Sequence, residues 1–268
     1  MVKEFQKKPT VFFSFPLAAL MIIAGSMALF TQDFYARETP NWMTQAVTQD
    51  AINVFLITPV LVFTSILALK GKTAFLLWGG VNLYLVYTYA VYCFDIHFNS
   101  LFLIYCFSFG LAFYSFVYFL FSLRQVTIES GVIKETFIKI TSIYFLFIAI
   151  GFYFLWLSQI LPSILNHATP KDIRATGLFT NPIHVLDLSL VLPAIFLTGI
   201  LILKKKILGV VLIPPVLAFF ILMDITIAAL VFAENLQTGE NNYAVILIMG
   251  LLSLFSLILL LLYVRQVK

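Results

Sequence analysis

The chain has 268 residues, of which 62% are hydrophobic and only 10% are charged, and its formal net charge is +4. A water-soluble domain needs more polar side chains than this to cover its surface, so the composition excludes a soluble globular protein and indicates an integral membrane protein. The basic residues lie between apolar stretches rather than in one patch, so the charge does not indicate nucleic-acid binding. The lipid bilayer is the first expected partner, and nucleic acid is not expected.

Eight apolar stretches follow one another along the chain, each with the roughly 20 residues that a transmembrane helix requires. They lie at 11–30, 51–69, 74–94, 99–122, 140–162, 183–203, 208–233 and 243–264. The longest pieces between them, 31–49, 124–139 and 163–182, are too short to hold a core of their own. The sequence therefore predicts an all-α polytopic transmembrane bundle of eight helices that forms a single domain over residues 1–268.

Lysine and arginine are distributed unevenly between the two sets of loops. Thirteen of the 16 lie near the termini and in alternate loops, while the other loops hold only Arg37, Lys171 and Arg174. Because cytoplasmic loops of membrane proteins are enriched in Lys and Arg, this distribution predicts a multi-pass protein of the cell membrane with both termini in the cytoplasm.

The first apolar stretch has two interpretations. Lys3, Lys7 and Lys8 precede it and "AGSMA" at 24–28 ends it, as in a secretory signal peptide. Its apolar run is longer than the 7–15 residues usual for such a peptide, so an uncleaved first helix is favoured. Cleavage would leave seven helices and an external N-terminus.

The second and sixth predicted helices resemble each other at an offset of 134 residues. Between 50–72 and 184–206, eight of 23 positions are identical. The informative matches are Pro59 with Pro193, Thr64 with Thr198, Lys70 with Lys204 and Lys72 with Lys206. These matches are compatible with two parallel four-helix repeats, 1–134 and 135–268, as in some secondary transporters, although the other helices show little similarity at this offset. Chance alignment of two helices that end in lysines is the alternative.

The third predicted helix carries a polar stripe. Tyr84, Thr88, Tyr92 and Asp95 recur at spacings that place them on one helical face, in the half of the helix nearer the outside. Tyrosines at this depth also occur in the aromatic belt at the membrane surface, so a headgroup contact is the simpler interpretation. The number of tyrosines on this half of the helix exceeds what an aromatic belt needs, and it favours a ligand-binding site.

Two acids are predicted to lie within the membrane, where a charge costs about 2.5–3.5 kcal/mol at the helix centre. Asp187 belongs to the sixth predicted helix and Asp224 to the seventh. Asn181 and Pro182 suit the start of the sixth helix, and His184 and Asp187 then project from one face of its first turns. Either acid has a structural alternative as a hydrogen-bond anchor between helices.

These polar groups converge on the outer half of the predicted bundle, where Asp50 and Asn53 also lie. We therefore expect a ligand-binding site there. Its candidate residues are Asp187, His184, Asn53, Asp50, Tyr84, Tyr92, Asp95 and Asp224. No cofactor is indicated, and no HExxH or paired-histidine spacing indicates a metal site.

Three functions fit this pattern. The favoured one is a carrier or ligand-binding membrane protein for a small ion or small molecule, with a proton or cation on the Asp187 carboxylate. A membrane-embedded lipid hydrolase or transferase at the outer face is an alternative, and so is a non-catalytic assembly or sensory partner. The sequence holds no motif for nucleotide or dinucleotide binding.

Several stretches resemble a group of uncharacterised prokaryotic multi-pass membrane proteins. They are Gln49-Asp50 with Pro59, "LLWGGVNLYLVYTYAVY" at 76–92, Asn99, "YFLWLSQILP" at 153–162 and "NPIHVLDLSLVLP" at 181–193. The resemblance spans the second to sixth helices and implies a helical bundle in the inner membrane. It implies no catalytic residues.

Overall fold

The computed structural model describes residues 9–126 and 133–267. Within these ranges, eight helices are long and apolar enough to span a membrane, and no strand occurs. They are α1 (Thr10–Phe30), α2 (Pro40–Ala68), α3 (Lys72–Asp95), α4 (Phe102–Gln125), α5 (Glu135–Leu165), α6 (Pro182–Leu203), α7 (Ile207–Thr238) and α8 (Tyr243–Val267). The predicted all-α transmembrane bundle is confirmed. Lys3, Lys7 and Lys8, which suggested a signal peptide, lie outside the described residues.

The loop predicted over 31–49 is wrong from residue 40 onward, because α2 begins at Pro40. Thr39 caps this helix with its side-chain oxygen, which accepts from the amide of Trp42, and proline suits the first turn because its missing N–H needs no partner there. The first turns of α2 are polar, so hydropathy alone does not reveal them. Several other helices also extend a few residues beyond their predicted ends.

Two turns of the bundle are wider than an α-helix. The chain is π-helical at Asn53–Ile57 in α2 and at Asp187–Val191 in α6, and each segment ends two residues before a proline, Pro59 or Pro193. Proline lacks an N–H and displaces the carbonyl one turn earlier, which favours such a local widening. Both π-helical segments fall at the offset of 134 residues found in the sequence.

The centre of the bundle is the contact between α3 and α7. The α3 helix is the most buried of the spans, and it packs against α2, α4 and α7. A Cβ atom at Gly80 would collide with the carbonyl of Pro215, so glycine permits the close approach of these two helices. Around this centre, α7 packs on α8, α5 packs on α6, and α1 packs on α2 and α4.

The contacts across the centre are reciprocal. The first turns of α2 pack on α7, and the first turns of α6 pack on α3. Each half of the chain therefore places the polar start of one helix against the central helix of the other half. The large outward side chains are apolar, for example Phe63, Phe147 and Leu254, as expected where helices contact lipid.

We call the two ends of the bundle the cap side and the lysine side. The cap side carries the loops at 31–39, 96–101 and 166–181, including a short helix at Lys171–Thr176 that contacts the start of α2. The lysine side carries Lys70 and Lys204–Lys206, where Lys205 binds Glu135 at 2.9 Å.

Candidate functional site

A cavity of about 440 Å³ opens between the two halves of the chain, toward the cap side. Its walls come from α2, α3, α5, α6, α7 and α8, and we call it the main cavity. Most of the lining is apolar, for example Val91, Phe152, Met223 and Leu230. The size and the predominantly apolar wall are typical of sites for small molecules.

The polar part of the wall includes Gln49 on α2. Its Nε2 atom donates to the Tyr84 hydroxyl and to Asn53 Oδ1, both at 3.0 Å. The Tyr84 hydroxyl is also 2.8 Å from Thr226 Oγ1. This network joins α2, α3 and α7 at the inner end of the cavity. Asn53 is buried behind Gln49 and does not line the cavity itself.

Two further amides continue the same face of α2 toward the cap side. Asn41 donates to a carboxylate oxygen of Glu234, and Gln45 Nε2 donates to Asn41 Oδ1 at 2.7 Å. Gln45 and Glu234 line the cavity. Sequence reasoning missed Glu234 because it ended the seventh helix at residue 233, and it missed Asn41 and Gln45 because it assigned 31–49 to a loop. The spacing of four between Asn41, Gln45, Gln49 and Asn53 was the signal that could have found them.

Asp187 faces the main cavity from the first residue of the π-helical segment of α6. Its Oδ2 atom accepts a hydrogen bond from Trp156 Nε1 at 2.8 Å, and the Tyr87 hydroxyl lies beside the same carboxylate. The Asp187 side chain is therefore held by α5 and α3 at the edge of the open volume. A π-helical segment often occurs at a functional site, because it redirects a side chain from the regular helical face.

His184 is held behind this carboxylate rather than in the cavity wall. Its ring packs on the Trp156 ring with centroids 4.6 Å apart, and its Nε2 atom is 3.7 Å from Asp172 Oδ2. Asn181 caps α6 as predicted, accepting from the amides of Ile183 and His184, and donates to Asp172 at 2.9 Å. The short helix of the cap side is thereby tied to the start of α6.

Asp50 lies in a dry cluster of tyrosines. Tyr35 donates to Asp50 Oδ2 at 2.6 Å and Tyr92 donates to Oδ1 at 2.8 Å, while the Tyr105 hydroxyl is 3.4 Å from that of Tyr35. Burial, reinforced by the neighbouring Asp50 carboxylate, raises the pKa of Tyr35 far above its usual value, so this hydroxyl keeps its proton. Both oxygens of Asp50 are satisfied, and Asp50 does not line the main cavity. The ring of Tyr92, in contrast, lines the main cavity.

Asp95 lies at the cap-side end of α3, outside the cavity wall. Its backbone carbonyl accepts from Trp42 Nε1 at 3.1 Å, which fixes one wall of the cavity. Its carboxylate lies near Glu38, which binds the backbone N–H of His97 at 2.8 Å and the His97 ring at 2.9 Å. The geometry gives Asp95 a contact with the cavity only through Trp42.

Asp224 lies near the middle of α7 beside a second, smaller cavity of about 50 Å³, which we call the inner cavity. Asp187 lines both cavities. Of the eight residues predicted for a site, the structure therefore brings Asp187, Tyr84 and Tyr92 to the main cavity and Asp224 to its neighbour. The other four, Asp50, Asn53, His184 and Asp95, support the walls.

Among the described residues, no group of three or more His, Cys, Asp or Glu side chains is arranged to hold a metal ion. Comparison of the chain with protein-family models, curated proteins and solved structures finds no significant match. Function is therefore inferred from the chemistry of the main cavity and the inner cavity.

Proposed function

We propose that this chain is a carrier or ligand-binding protein of the cell membrane, and that its main cavity binds a small, mainly apolar molecule with a positively charged group. The observation that carries this proposal is the main cavity itself, a volume of about 440 Å³ that opens toward the cap side and has the Asp187 carboxylate at its edge. A volume of this size accommodates a small organic molecule but exceeds what a single inorganic ion needs.

The charge of the lining supports a cationic ligand. Asp187 and Glu234 contribute carboxylates to the wall, and no Lys, Arg or His is among the described residues that line it. Aromatic rings complete the wall, among them Trp42, Trp156 and Tyr92. Aromatic faces attract organic cations, and the attraction grows when water is excluded.

The proposed orientation puts the cap side outside the cell and the lysine side in the cytoplasm, so that the main cavity faces outward. The positive-inside rule supports it, because the loops of the cap side contain only Arg37, Lys171 and Arg174 among their basic residues. An inner-membrane location, as the resemblance implies, belongs to the same proposal.

A carrier also needs parts that move, and we propose that the two halves of the chain are parallel repeats that do so. The π-helical segments at Asn53–Ile57 and Asp187–Val191 support this, since they occupy corresponding positions in the two halves. The reciprocal packing of α2 on α7 and of α6 on α3 supports it as well. The main cavity lies between the halves, where relative motion would open or close it.

The chain provides its own reporter of ligand binding. It has three tryptophans, and Trp42 and Trp156 line the main cavity. Trp78 lies elsewhere in the core, where its Nε1 atom donates to Ser14 at 2.8 Å. In a Trp78→Phe background, tryptophan emission therefore comes from the cavity alone, and a ligand that enters it changes that emission.

The test titrates this Trp78→Phe protein with three probes of one shape: phenyltrimethylammonium, its neutral isostere tert-butylbenzene and the anion benzenesulfonate. We expect saturable binding of the cation and no saturable binding of the anion. Asp187→Asn should weaken binding of the cation by about tenfold, or about 1.4 kcal/mol. Glu240→Gln removes an equal charge from an exposed loop residue outside the cavity, and it should leave the affinity unchanged.

Equal binding of the cation and its neutral isostere would assign the cavity to an apolar ligand and remove the proposed role of Asp187. The absence of saturable binding by any probe would contradict the proposed function as a whole.

A further inference from the structure

Asp224 lines the inner cavity and not the main cavity, so its role is distinct from ligand binding in the main cavity. Asp224 is only 7% exposed, and its Oδ2 atom has no hydrogen-bond partner among the residues that the structure describes. A buried carboxyl oxygen without a partner is expensive, and near the middle of a membrane helix it usually marks a path for ions or protons. The open space beside it is the inner cavity, which also touches Asp187.

The inner cavity offers too few oxygen ligands to hold a metal cation. Apart from the two carboxyl groups, its polar lining is the Tyr144 hydroxyl, which already pairs with Ser256 at 2.8 Å. The rest is apolar, for example Val191 and Phe219. Hard metal cations require several oxygen ligands at once, so a proton is the cation that this cavity suits.

Water can bridge the two acids across the inner cavity. A single water molecule needs about 10–15 Å³ of such volume, and a cavity of about 50 Å³ has room for a few. The Asp224 Oδ2 atom and the Asp187 carboxylate are polar partners for that water. Asp187 also lines the main cavity, so water in the inner cavity would link Asp224 with the cap side through Asp187.

The titratable groups around Asp224 leave the proton with these two carboxyl groups. Tyr144 of α5 and Asp187 of α6 line the inner cavity with it, and Tyr84 and Tyr87 of α3 lie on the main-cavity side. From α2 and α8, the side chains that reach the main cavity carry no charge. Glu234, on α7 itself, lines that cavity near the cap side. Within 9–126 and 133–267, no Lys, Arg or His lines either cavity.

We propose that Asp224 is a proton-binding site in series with Asp187, and that the two exchange one proton through water in the inner cavity. The proton leaves the Asp187 carboxyl group, passes through the water and binds Asp224 Oδ2, which leaves Asp187 as a carboxylate. This inference rests on the proposed function, in which an organic cation binds beside Asp187. A proton and the organic cation then compete for the Asp187 carboxylate. The protein would then exchange protons for organic cations.

The test uses the full chain in vesicles loaded with the pH-sensitive dye pyranine and with phenyltrimethylammonium. After dilution into probe-free buffer, efflux of the cation should drive protons inward and acidify the lumen. Vesicles loaded with tert-butylbenzene provide the control without charge. Asp224→Asn should reduce the rate of acidification at least tenfold and change the affinity of the tryptophan assay by less than twofold.

Val191→Leu supplies a second variant that keeps every charge. Val191 lines the inner cavity and not the main cavity, so the added methylene takes volume from the bridging water alone. We expect slower acidification with unchanged probe affinity, and this variant decides the matter if Asp224→Asn does not fold. Wild-type rates in the variants that fold, or a wild-type protein that binds the cation and moves no protons, would overturn the proton site. Neither result would touch the proposed binding function, which fails only if the cation does not bind.

Discussion

Replacing Asp50 with alanine should destabilise the protein more than the same replacement of Asp187, although both acids are buried within the bundle. Asp50 accepts two hydrogen bonds, from Tyr35 at 2.6 Å and from Tyr92 at 2.8 Å. A hydrogen bond to a charged group contributes about 1.5–3 kcal/mol, so Asp50→Ala loses about 3–6 kcal/mol and leaves two buried hydroxyls without this acceptor.

Asp187→Ala loses the single bond from Trp156, about 1.5–3 kcal/mol, and water in the main cavity can take over as acceptor. Equilibrium unfolding in mixed micelles with increasing SDS measures both free energies, and the loss at Asp50 should be about twice that at Asp187. Equal losses would refute the distinction between a satisfied structural acid and an acid that faces a cavity. A stable Asp50→Ala protein that no longer binds phenyltrimethylammonium would also refute this distinction.

Two further predictions concern the centre of the bundle. Gly80→Ala places a methyl group against the carbonyl of Pro215 and should cost about 1–3 kcal/mol of unfolding free energy in the SDS assay, whereas Gly110→Ala, with no neighbour within 4 Å, should cost nothing. Tyr84→Phe removes the hydroxyl that joins three helices and should cost about 1–2 kcal/mol, against less than about 0.5 kcal/mol for Tyr114→Phe on the exposed surface. Equal effects of either pair would contradict the packing described here.

The helices were predictable because each buries its backbone polar groups internally and needs a long apolar stretch to lie in lipid. The start of α2 was not predictable from hydropathy, because its first turns face other helices and the main cavity rather than lipid. The cap formed by Thr39 and Pro40 was a better guide there than hydropathy. The cap at Asn181 was correctly anticipated, and His184 and Asp187 both contact Trp156.

The roles of the individual acids were harder to predict. In the sequence, Asp50 and Asp187 have similar surroundings, since each lies near the polar end of an apolar helix that contains a proline. The two acids differ in what the rest of the fold places beside them. Tyrosines from distant segments enclose Asp50, whereas Asp187 lines the main cavity. Such differences arise from tertiary packing, which spacing along one helix does not encode.

The central claim is that the main cavity binds a small organic cation beside Asp187. An experimental structure of the protein with (4-bromophenyl)trimethylammonium tests it most directly, because anomalous scattering locates the bromine without ambiguity. We expect one bromine peak inside the main cavity in the wild-type protein, with the ammonium group toward Asp187, and a weaker peak in Asp187→Asn at the same concentration. A bromine peak elsewhere, or an empty main cavity at saturating probe, would contradict it.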